Sequence, residues 1–94
     1  TEKFIFRINL LLAFKEKDFG KLLELKVPRN QYAIHPEDKN LSLEKTFYIA
    51  LFKLFNDKAY TDASDLFRGL LSEEPKNVIY GYYLYHAETL KSLK

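Results

Sequence analysis

The segment Phe14-Lys15-Glu16-Lys17-Asp18-Phe19 returns 41 residues later as Phe55-Asn56-Asp57-Lys58-Ala59-Tyr60. Both copies read aromatic, polar, acidic, Lys, variable, aromatic. Self-similarity at a fixed offset of this size marks an architecture in which one supersecondary unit is copied and stacked. Each copy falls where one apolar periodic stretch ends and the next begins. The chain therefore reads as two helical hairpins followed by a further helix, and its 94 residues suit one domain spanning 1–94.

Three Gly and three Pro are few, so long regular elements are expected. Phe4, Ile8, Leu11 and Leu12 recur at helical spacing and predict a first helix from about Glu2 to Lys17, with that stripe toward the core. A short second helix over Phe19–Lys26 stops before Pro28. This first hairpin covers about 2–27. Residues 28–41 carry Pro28, Asn30, Pro36, Asp38 and Asn40 and read as a loop, cleavable near Lys39 unless Tyr32 and Ile34 pack it down. Ser42 can cap a third helix over Leu43–Asn56, and a fourth covers Ala59–Glu73, so the second hairpin spans about 43–74. Pro75 can open a C-terminal helix over about 75–93. The expected fold is all-α, with about five helices in tandem antiparallel hairpins and a core that includes Leu12, Leu51, Leu54, Phe67 and Leu84.

The second copy resembles a tetratricopeptide repeat, a unit of about 34 residues. Ala59-Tyr60-Thr61-Asp62-Ala63 is similar to that family's Asp-Tyr-Asp-Glu-Ala turn; Phe67 and Leu70 follow Ala63 by four and seven, and Pro75-Lys76-Asn77 is similar to its terminal Pro-Asn-Asn. The resemblance is closest over 44–77, weaker over 3–35, where Leu22 stands for a small residue, and partial over 78–94. Leu51 and Tyr85 also replace small residues of the family pattern. What the resemblance implies is an α-α superhelix whose first helices line a concave face that holds peptides. Transferring the register places Arg7, Leu11, Lys45, Tyr48, Phe52, Tyr82 and His86 on that face, aromatic with cationic edges. Such a face suits a segment with apolar anchors and some acidic residues. Tyr48 and Phe52 stand where the family's chaperone-tail binders carry a Lys/Asn carboxylate clamp, so a terminal carboxylate is not the expected ligand.

Composition argues against other classes. Fifteen basic and thirteen acidic residues leave a net charge of +2 with no basic stripe, so no nucleic acid is expected. Without cysteine there is no disulfide, thiolate zinc site or catalytic thiol, and a cytoplasmic setting fits. His35 and His86 have no second ligand at metal spacing, so no metal or cofactor is expected. No nucleophile elbow surrounds Ser42, Ser64, Ser72 or Ser92, the pairs Asp62/Asp65 and Glu73/Glu74 read as helix surface, and Gly20, Gly69 and Gly81 form no phosphate loop. Enzymatic activity is therefore not expected. Lys3–Phe14 is interrupted by Arg7 and Asn9 and is too short to span a bilayer. It reads as an amphipathic core helix, with no membrane expected.

Aromatic residues carry the remaining information. Seven Tyr and eight Phe are many for this length. Successive residues on a helix point about 100° apart, so Tyr80, Tyr82, Tyr83 and Tyr85 cover nearly its whole circumference and cannot all face one core. Some must meet solvent, a partner or a neighbouring repeat. The functional expectation is a protein–protein interaction module for another protein or peptide. Its alternatives are a structural end cap or a self-associating subunit, including a homodimer through the fifth helix, and a regulatory helical module of a larger protein.

Overall fold

The computed structural model describes residues 2–28 and 36–93; His35, Tyr32 and Ile34 lie outside them. The described residues form five helices and no strand: α1 (Glu2–Lys15), α2 (Phe19–Glu24), α3 (Pro36–Phe55), α4 (Tyr60–Glu73) and α5 (Val78–Ser92). The expected all-α fold of about five helices is the fold found. The chain divides into two compact units, residues 1–49 and 50–94.

In the first unit α1 packs against α2. Phe6, Leu10 and Ala13 of α1, Leu22 of α2 and Leu41 of α3 are buried. Asp18 caps α2, its Oδ1 accepting from the Lys21 amide at 3.0 Å. The stripe expected in the core is reversed: Phe4, Ile8, Leu11 and Leu12 are exposed. Apolar residues occupy almost the whole circumference of α1, so helical periodicity selects no single face.

The third helix starts seven residues earlier than the expected Leu43, and the expected loop over 28–41 is helical from Pro36, through Lys39. A proline in the first turn loses no helical hydrogen bond, so Pro36 opens the helix rather than marking a loop. Ser42 consequently lies inside α3 and is no cap; its carbonyl accepts from Thr46 Oγ1 at 3.1 Å.

In the second unit α4 and α5 pack on one another. Ala50, Leu51, Phe52 and Leu54 of α3 are buried in this unit, with Ala63, Phe67 and Leu70 of α4 and Tyr80 and Ala87 of α5. The i, i+4, i+7 spacing of Ala63, Phe67 and Leu70 is the apolar stripe of an amphipathic helix. Leu84, expected in the core, is half-buried. The last helix begins at Val78 rather than Pro75. Asn77 stops the preceding turn and caps α5, its Oδ1 accepting from the amides of Ile79 at 3.0 Å and Tyr80 at 3.3 Å.

Both copies of the repeated segment turn the chain through a left-handed lysine, with loops closed over five residues in the first and six in the second. Lys17 follows α1 with φ 57° and Lys58 follows α3 with φ 55°, the two left-handed non-glycine residues among those described. The Asp18 amide then donates back to the Ala13 carbonyl at 2.9 Å, and the Ala59 amide to that of Lys53 at 2.9 Å. These bonds satisfy carbonyls that a helix end leaves open.

Candidate functional site

An aromatic cluster in the second unit is the most developed surface feature. It grows outward from the core. Phe67 is fully buried on α4, and Tyr83 of α5 stacks on it with centroids 5.6 Å apart and planes at 18°. Tyr83 is half-buried and meets two further rings edge-on: Phe55 at 6.2 Å and Tyr82 at 5.1 Å. His86, one turn beyond Tyr82, stacks on it at 6.3 Å and 17° and lies 5.8 Å from Phe55. Phe55 is 52% exposed and Tyr82 64%. The result is a contiguous ring surface with its inner edge in the core and its outer faces in water. Edge-to-face and stacked pairs at these separations are attractive, so the rings are held without a ligand. Val78 and Tyr85 lie beside Tyr82 on the outer side of α5 and are also exposed.

A polar clamp joins the two helices behind this surface. The fully buried Ser64 of α4 donates its hydroxyl to Glu88 Oε1 of α5, and Arg68 Nη2 donates to the same oxygen. Arg68 also pairs with Asp65, one turn earlier, at 3.3 Å. The Ser64 hydroxyl, followed by the positive charges of Lys91 and Arg68, holds the Glu88 carboxyl below its usual range against an opposing effect of burial. This arrangement stabilises a carboxylate and fixes the α4–α5 pairing.

The residues placed on the concave face by sequence fall into different surroundings. Tyr82 and His86 come together on α5, Tyr82 exposed and His86 half-buried. Phe52 does not join them at the surface. Only 4% of it is exposed, and it belongs to the core of the second unit. It stands three residues before Phe55 on α3, and Phe55 is the ring that reaches the accessible cluster. Sequence reasoning assigned Phe55 only to the repeated junction, although aromatic character at i and i+3 was a signal that α3 carries two rings on adjoining sides.

In the first unit, Leu11 is exposed. Arg7 Nε is bonded to Glu44 at 2.9 Å to Oε2 and 3.2 Å to Oε1. Lys45 Nζ donates to the carbonyl oxygens of Leu23 at 2.9 Å and Leu25 at 2.6 Å, where it acts as a cationic cap on the end of α2. The two cations expected to edge a binding face are thus engaged within their own unit. Tyr48 is half-buried, its ring 5.7 Å from Phe14 and 6.2 Å from Phe47. Burial and then the Glu44 charge push its hydroxyl pKa upward. Among the described residues no three His, Cys, Asp or Glu side chains gather to hold a metal ion. Among those same residues no helix is long and apolar enough to cross a membrane.

Comparison of the chain with protein-family models, curated proteins and solved structures found no match.

Proposed function

We propose that the chain is a protein-interaction module that holds an apolar-anchored segment of another protein on the ring surface of Phe55, Tyr82 and His86. The observation that carries this reading is the combination of order and exposure in that cluster. Its rings are fixed through Tyr83 to the buried Phe67, yet Phe55 and Tyr82 keep more than half of their area in water. Aromatic side chains anchored in this way lose little conformational freedom on binding, and Tyr and Phe are enriched at the centres of interfaces. The same reading takes the helices as tetratricopeptide-like units. Its support is the shared left-handed Lys turn at the two junctions and the buried Ala63, Phe67 and Leu70 at the repeat's spacing. Neither Arg7 nor Lys45 is part of the proposed contact surface, because each is committed to a partner within the first unit.

Quantitative affinity capture with the wild-type chain beside Phe55→Ala and Tyr82→Ala tests the proposal. The expected result is one or more partners enriched by the wild type and lost by both variants, with helicity unchanged by circular dichroism. Equal recovery of every partner by wild type and variants would place binding elsewhere.

A further inference from the structure

Helix α5 carries most of the ring surface, yet its apolar residues do not say which side should face α4. Val78, Ile79, Tyr80, Tyr82, Tyr83 and Tyr85 stand at about 100° per residue and occupy more than half of its circumference. In the structure Tyr80 and Ala87 are buried and Tyr83 stacks on Phe67. A turn of α5 by one residue position, about 100°, would bring Ile79, Tyr82, His86 and Leu90 inward instead and bury a comparable set of side chains. Hydrophobic burial is non-directional and does not separate the two settings.

Polar side chains do separate them. Glu88 is the one carboxylate of α5. Ser64 of α4 is, among the described residues, the one polar side chain that is wholly buried. A single oxygen, Glu88 Oε1, accepts from both the Ser64 hydroxyl and Arg68 Nη2, and Nη2 also lies 3.5 Å from Ser64 Oγ. Asp65 pairs with Nη1 of the same guanidinium at 3.3 Å. Bonds to an ionised acceptor belong to the strong class of hydrogen bond. Turning α5 by one position carries Glu88 away from α4, breaks both bonds at once and leaves the Ser64 hydroxyl to the backbone of its own helix.

We infer that Ser64, Arg68 and Glu88 select the rotational setting of α5, and so determine that Tyr82 rather than Tyr80 faces water. Apolar burial holds the two helices together, and the three polar side chains give the contact its direction. They are positioning residues, since none of them belongs to the ring cluster. That the selected setting matters for binding rests on the proposed ring surface, whereas the setting itself does not.

Fluorine NMR of the full chain labelled with 3-fluorotyrosine reads the setting without a binding partner. In the wild type each tyrosine of α5 should give one resonance. A soluble paramagnetic agent should broaden Tyr82 and Tyr85 but not Tyr80, following their exposures of 64%, 74% and 6%. Ser64→Ala combined with Glu88→Ala removes both members of the buried contact and leaves neither unpaired. This double variant should stay helical by circular dichroism, with the α5 tyrosine resonances split or broadened and Tyr80 several-fold more affected by the agent than in the wild type. Tyr48, outside this helix pair, should not change. Glu88→Gln should keep the wild-type pattern, because one oxygen takes both bonds and the amide retains it. A folded double variant with the wild-type exposure pattern would overturn the inference, by showing that apolar packing alone orients α5. So would a double variant without helicity, since the three side chains would then support folding rather than direction, or a Glu88→Gln chain that behaves like the double variant. A changed exposure pattern with undiminished affinity capture of partners would uphold the inference and overturn the reading of these rings as the binding surface.

Discussion

Lys17 and Lys58 stand 41 residues apart and hold the same left-handed backbone conformation, φ 57° and φ 55°. Lys17 stands two residues beyond α1 and Lys58 three beyond α3, and each redirects the chain toward the next helix. In this conformation a side chain's Cβ crowds the following carbonyl, at a cost of about 1–2 kcal/mol relative to glycine. Glycine is the usual residue at such a helix end. Lys17→Gly and Lys58→Gly should therefore each stabilise the fold by roughly 0.5–1 kcal/mol, after the greater freedom of glycine in the unfolded chain is allowed for. Thermal unfolding should show a rise of a few degrees at each site. A loss of stability at either would mean that the lysine side chain holds its turn by contacts outweighing the backbone strain.

Acid should act on the second unit through Glu88. The Ser64 hydroxyl, with Lys91 and Arg68, lowers its folded-state pKa below the ordinary 4.5. A carboxyl depressed on folding contributes stability that is present in full above its unfolded value and is lost as pH falls through the folded value. The wild type should accordingly lose stability below about pH 4.5, where Glu88 begins to bind protons in the unfolded chain. Glu88→Gln should be less stable than the wild type at neutral pH and show a shallower decline in acid. Urea midpoints measured from pH 7 to pH 3 read both effects. Parallel pH profiles for the two proteins would show that other carboxylates govern the acid response.

Lys45 makes a separate, local prediction. Its ammonium group bonds the Leu23 and Leu25 carbonyls at the end of α2, a helix of six residues that has little stability of its own. Lys45→Met keeps most of the aliphatic stem and removes both bonds. The expected cost is about 0.5–2 kcal/mol, the range for hydrogen bonds and charge at a helix C-terminus. Exchange of the Leu25 amide, which donates to the Lys21 carbonyl at 3.2 Å, should accelerate more than that of amides in α4. Unchanged exchange at Leu25 would show that packing of Leu22 alone maintains α2.

How far the sequence could be read depended on how unevenly each helix distributes its apolar residues. In α4, Ala63, Phe67 and Leu70 stand on one side, with Thr61, Asp62, Asp65, Arg68 and Gly69 on the other, and the expected helix and buried stripe are both found. In α1 nearly every position is apolar, so the stripe through Phe4, Ile8 and Leu11 was as regular as the one through Phe6, Leu10 and Ala13. Only packing distinguishes them, and it buried the latter. Pro36 and Pro75 show a similar ambiguity. Proline can occupy the first turn of a helix or the turn before one; Pro36 does the first, while Asn77 makes Pro75 do the second. Of the candidate site, the repeat register put Tyr82 and His86 on one face, and their i, i+4 spacing on α5 brings the two rings together. The part played by Phe55, and the capture of Arg7 and Lys45 by neighbours within their unit, depend on contacts distant in sequence, which helical spacing does not encode.

Phe52 and Tyr82 were placed by the repeat register on one binding face, and their burial predicts opposite behaviour. Phe52 is 4% exposed among Ala50, Leu51 and Leu54 at the centre of the second unit's hydrophobic positions. Phe52→Ala removes a buried ring and leaves a cavity, for which about 3–5 kcal/mol is expected. That is a large fraction of the stability of a small domain, so the variant should be partly unfolded at 25 °C or melt many degrees lower. Tyr82 is 64% exposed and rests on the faces and edges of Tyr83 and His86. Tyr82→Ala forfeits only part of those ring contacts, and its cost should be about 1 kcal/mol or less. Chemical unfolding of the two single variants separates the roles, which a double variant would merge. A stable Phe52→Ala protein would remove Phe52 from the core and restore it to the binding face. Severe destabilisation by Tyr82→Ala would make the exposed rings structural, and the proposed interaction surface would then have to exclude them.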